Sequence, residues 1–167
     1  MRNKNTLLVG LTTLMFGGVA TADDATPTDL LFKFDSSALP ANAKVELARV
    51  ADRALSHDEL IVLDGSPDQT GDTNYNIRLS IRRSEAVRTQ LITLGVDPGK
   101  IIIAAFGEDS LRRNSFADDR RVTIWTTRES VASVIAVTFA GHGTAVRWDK
   151  PLSVAQIDAT SAPIAAR

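Results

Sequence analysis

The run LIVLDG, residues 60–65, is apolar almost without a break, the mark of a buried strand. The next long segment is helical. Residues 74–91, NYNIRLSIRRSEAVRTQL, put Leu79, Ala86, Val87 and Leu91 on one face, and Leu94 continues that stripe. Asp72 or Thr73 can cap the helix start, and Gly95, with Asp97-Pro98 close behind, ends it. KIIIAAFG, 100–107, reads as another strand, and RVTIWTT, 121–127, alternates as a half-buried strand does. Earlier in the chain, DLLFKF, 29–34, is a strand, and residues 41–56 gather Leu47, Val50, Ala51, Ala54 and Leu55 on one helical face. The order predicts an α/β (α+β) fold: a two-layer sandwich of helices packed on one mixed four-stranded sheet, in βαβαβ-β order. Residues 131–148 are expected to form a C-terminal β-hairpin turning at Gly141-His142-Gly143, and the Ala-rich residues after Pro151 to be a loosely ordered tail.

The 167 residues suffice for one domain with an extension. Arg2 and Lys4 precede an apolar run over 7–16, and Ala20-Thr21-Ala22 supplies a cleavage pattern, so residues 1–22 read as a signal peptide and 23–28 as a leader. That run is shorter than the roughly 20 residues a bilayer requires. Losing Arg2 and Lys4 lowers the 19 basic groups by two to 17 against 20 acidic ones, a net charge of −3. A chain of that balance is not built for nucleic acid or an anionic membrane surface. There is no cysteine for a disulfide or a lipid anchor, and His57 and His142 have no second ligand at metal spacing, so neither metal nor cofactor is implied.

One residue breaks the helix pattern. Arg83 stands four residues after Leu79 and four before Val87, on the stripe that should meet the core, where a guanidinium is costly unless paired. The loop DGSPDQTGD offers partners. Asp64 lies within the strand and Asp72 is used for capping, which leaves Asp68 at the carboxyl end of the strand, where layered folds commonly bind ligands. A carboxylate opposite a guanidinium suits a ligand with an ammonium and a carboxylate on one carbon. An ion pair tying loop to helix is the alternative that physics alone leaves open.

The segment DGSPDQTGDTNYNIRLSIRRSEAVRTQL, with FKFDSSAL before it and AAFGEDS and DDRRVTI after it, resembles the OmpA-like peptidoglycan-binding domain over about residues 29–127. The resemblance implies a noncatalytic domain, 29–128, that holds the diaminopimelate residue of the peptidoglycan stem peptide, with an extension over 129–167. By this likeness Asp68 and Arg83 are the ligand pair, and Asp35, Asn76 and Arg120 are further pocket-lining groups. It also implies a periplasmic protein of a diderm bacterium, associated with the wall or the outer membrane. The sequence departs from the family in four places, one being a connection from Glu108 to Arg120 that is shorter than is common. Ser66-Pro67 replaces the usual His-Thr, which removes a hydroxyl and a backbone N–H; Ser84 replaces an alanine; Asp119 replaces an asparagine.

Two other classes compete. An envelope protein-interaction module with a decayed wall pocket would use the extension to bind a partner protein. An enzyme is disfavoured, since no nucleophile stands in a motif with a base.

Overall fold

The computed structural model describes residues 26–66, 72–105, 120–141, 143–147 and 149. The expected signal peptide, Asp68 and its loop, the 108–119 connection and the tail after Pro151 lie outside the described residues. Strand β1 spans Thr28–Leu31, helix α1 Ala43–His57, β2 Leu60–Gly65, α2 Thr73–Thr93, β3 Ile101–Ala105, β4 Arg121–Thr127, α3 Val131–Ala140 and β5 Thr144–Val146. A 3-10 turn, Pro98–Lys100, leads into β3.

The sheet runs β1-β4-β2-β3-β5. Parallel β2 and β3, joined through α2, form its centre, with β4 antiparallel to β2, β1 antiparallel to β4, and β5 antiparallel to β3. Alternation along these strands divides the sheet into two faces. Ile61, Leu63, Ile101, Ile103, Val122 and Ile124 meet Leu47, Val50 and Ala54 of α1 and Val87 and Leu91 of α2 in one buried core. Val62, Asp64, Ala104 and Trp125 face the other way and, with Val134 and Val137 of α3, line a cleft of about 640 Å³.

Helices on a mixed sheet are as expected, but the sheet has five strands and the predicted hairpin does not form. Residues 131–140 are helical instead, because the Ser130 hydroxyl caps the Ser133 N–H at 3.1 Å and Gly141 ends the helix. The residues after Gly143 pair with the edge of β3, so β5 becomes the fifth strand. β1 is also shorter than expected. Its last sheet contact is Phe32 N–H donating to Arg120 O at 2.7 Å, after which the chain turns away and gives the carbonyls of Lys33 and Ser36 to Arg83. Among the described residues no helix is long and apolar enough to cross a membrane.

Candidate ligand-binding site

The ends of three strands converge beside α2. Ser66 N–H donates to Arg121 O at 3.1 Å where β2 ends, and the Phe32–Arg120 bond adds the end of β1. Gly65, the last residue of β2, lies directly against α2: a Cβ there would come within 2.6 Å of Ser84 Oγ and 2.9 Å of the Ser80 carbonyl oxygen. Small residues at 65, 80 and 84 thus bring helix and strand together, and the neighbour of Ser84 on the helix is Arg83.

Arg83 is 1% exposed. Its Nε donates to Ser36 O at 2.9 Å and Nη2 to Lys33 O at 3.4 Å, while the guanidinium stands 5.6 Å from the centroid of the Phe32 ring. These are not its only contacts. The apolar stripe accepts a cation here because two carbonyls and a ring face replace part of its water. Arg83 therefore organises the segment after β1 as well as facing the end of the sheet.

Asp35 lies in that segment, exposed, with φ +50, a left-handed conformation that aspartate tolerates better than most residues. Its carboxylate accepts a hydrogen bond from the Tyr75 hydroxyl. Tyr75 is in the first turn of α2, and its N–H donates to the Asp72 side chain at 2.7 Å, so Asp72 is the helix cap as its sequence position predicts. The hydrogen bond to Asp35 is the main cause that raises the Tyr75 pKa above its ordinary value; desolvation and the Asp35 charge act the same way, and Arg82 and Arg83 oppose them. Arg82 sits 5.9 Å from the Tyr75 ring centroid.

Asn76 is buried in the same turn, and its N–H donates to Asp72 O at 3.0 Å. Arg120 is half-buried at the entry to β4, and its Nε is buried with no hydrogen-bond partner among the described residues. The fold thus brings Asp35, Asn76, Arg83 and Arg120 to one end of the domain, while Asp68 lies outside the described residues. Tyr75, Phe32 and Arg82 belong to this constellation and were missed from the sequence. Arg82 was findable, since it stands seven residues after Tyr75, nearly two helical turns. The Asp35 contact spans 40 residues and had no local signal.

Comparison with known proteins matches residues 31–123 to the OmpA family. The peptidoglycan-associated lipoprotein of Pseudomonas putida is 31% identical over 102 residues, 58% of this chain and 61% of that protein. Outer membrane protein A of Bordetella avium is 34% identical over 94 residues, 55% of this chain and 48% of that one. The chain thus spans about half to three fifths of the length of these curated relatives. Among solved structures, the peptidoglycan-associated lipoprotein from Burkholderia pseudomallei aligns with a TM-score of 0.54 at 28% identity, covering 59% of this chain and 89% of that one.

Proposed function

We propose, because the chain belongs to the OmpA family, that it binds peptidoglycan in the bacterial envelope without catalysing a reaction on it. One observation carries this reading: a buried arginine on the apolar stripe of α2, anchored by backbone carbonyls beside Asp35, Asn76 and Arg120. A guanidinium so fixed can grip a carboxylate with little ordering cost. The ligand is the diaminopimelate residue of the stem peptide, whose free end carries an ammonium and a carboxylate on one carbon. Arg83 takes the carboxylate and Asp68, with Asp35, the ammonium. The relatives named as peptidoglycan-associated lipoproteins support peptidoglycan as the polymer.

The mature chain begins at Asp23 after export, residues 29–128 form the wall-binding domain, and the protein works in the periplasm, beside the wall and the outer membrane. A single small pocket binds weakly, but the wall repeats its stem peptide many times, and rebinding holds the protein there. Sedimentation with purified diaminopimelate-type peptidoglycan tests this. The protein should pellet with the wall and be released by free diaminopimelate; protein that stays in the supernatant overturns the reading.

One feature favours a second role, an envelope protein bound through the extension. Helix α3 contains no charged residue, and Val137 and Phe139 on it are exposed. A chain that stays in the supernatant with purified wall, yet captures an envelope protein through residues 129–167, would favour it over the wall.

A further inference from the structure

The Tyr75–Asp35 contact is not needed to hold α2 together, since Asp72 already caps that helix. It joins two elements that both border the site. Tyr75 is fixed to α2 through its own N–H and to the segment after β1 through its hydroxyl. Asp35 Oδ1 accepts that hydroxyl, and a carboxylate has two oxygens with about four acceptor positions, so the bond leaves the second oxygen for another donor.

We propose that Tyr75 is a positioning residue of the wall site, whose hydroxyl holds Asp35 in its left-handed conformation so that carboxylate and Arg83 meet the two charges of the ligand together. The role rests on the peptidoglycan reading above. Arg83 holds the same segment through the carbonyls of Lys33 and Ser36, which flank Asp35 in sequence. The charged groups facing the tyrosine are Asp35, Arg82 and Arg83. The hydroxyl is protonated, and therefore a donor, throughout the physiological range, and the raised pKa extends that range upward. The contact is fully present below the ordinary tyrosine value of about 10 and is lost as pH rises through the raised one.

Tyr75 is the sole tyrosine of the chain, so ultraviolet titration of tyrosinate reports on it alone in the whole protein. The midpoint should lie above about 10 in the wild type and fall toward that value in Asp35→Asn. A midpoint that Asp35→Asn leaves unmoved overturns the contact. Tyr75→Phe should weaken pelleting on diaminopimelate-type wall about five-fold, the scale of one hydrogen bond, and have no further effect in the Asp35→Asn background. Losses that simply add, or pelleting equal to wild type, mean that Tyr75 does not act through Asp35. A wild-type chain that fails to pellet overturns the wall reading and this role with it, an outcome the titration keeps distinct from failure of the contact alone.

Discussion

Arg83 Nε donates to the carbonyl of Ser36 at 2.9 Å, joining residues 47 apart in sequence. The same guanidinium that we assign to the ligand therefore also holds the segment carrying Asp35. Arg83→Ala should abolish pelleting and also lower stability by about 2–4 kcal/mol, because it leaves backbone carbonyls without their donor. Arg83→Lys keeps the charge but not the planar fork, so it should lose most binding and less stability. Denaturant unfolding and wall pelleting on both variants check this, and an Arg83→Ala chain that pellets normally would remove Arg83 from the site.

Ser84 is fully buried and its Oγ has no hydrogen-bond partner among the described residues. Ser84→Ala should stabilise the protein by about 1 kcal/mol, since it removes an unsatisfied hydroxyl. Gly65→Ala should act in the opposite direction, costing about 1–3 kcal/mol, because its Cβ meets the backbone of Ser80. Chemical denaturation of the two variants should move the midpoint in opposite senses.

Glu59 serves as a control at the far end of β2. Only 4% exposed, it accepts from Arg53 Nε at 3.1 Å and faces Arg128 Nε at 3.4 Å. Glu59→Ala should cost about 1–2 kcal/mol, since Arg53 and Arg128 are both partly exposed and can turn to water when the carboxylate is lost, and should leave wall binding intact below the melting transition. A selective loss of binding would show that the two ends of the sheet are coupled.

Helix α3 and strand β5 cover one sheet face and one sheet edge. A chain ending at Arg128 would expose the edge of β3 and the far-face residue Val62, and uncover more of Trp125, which is already 41% exposed. It should melt at a lower temperature and aggregate more readily, as uncovered edges do. A truncated chain as stable and soluble as the full one would mean that α3 and β5 contribute nothing to the domain.

The central strands were legible because their chemistry is local. Leu60–Gly65 is apolar but for Asp64 and Arg121–Thr127 alternates, and both have the predicted bounds. Asp72 was readable as a cap for the same reason. Residues 131–148 were misread because Val131, Val134, Ile135 and Val137 are β-branched and suggest strand, whereas the cap at Ser130 and packing on the sheet decide for helix. Of the site, Arg83 was visible as a charge on an apolar stripe. Its bonds to Lys33 and Ser36, and the hold of Tyr75 on Asp35, depend on how the chain leaves β1, which no periodicity records.

Recognition of an ammonium and a carboxylate on one carbon is the central property proposed for this site. Peptidoglycan with lysine in place of diaminopimelate keeps the ammonium and lacks that carboxylate, so the most direct measurement is the Kd of the mature chain for the two wall types in parallel. The expected result is pelleting with the diaminopimelate wall, at least a ten-fold weaker Kd for the lysine wall, about 1.4 kcal/mol or more, and release from the former by free diaminopimelate. Equal affinity for both walls would contradict it, because Arg83 would then have no carboxylate to grip.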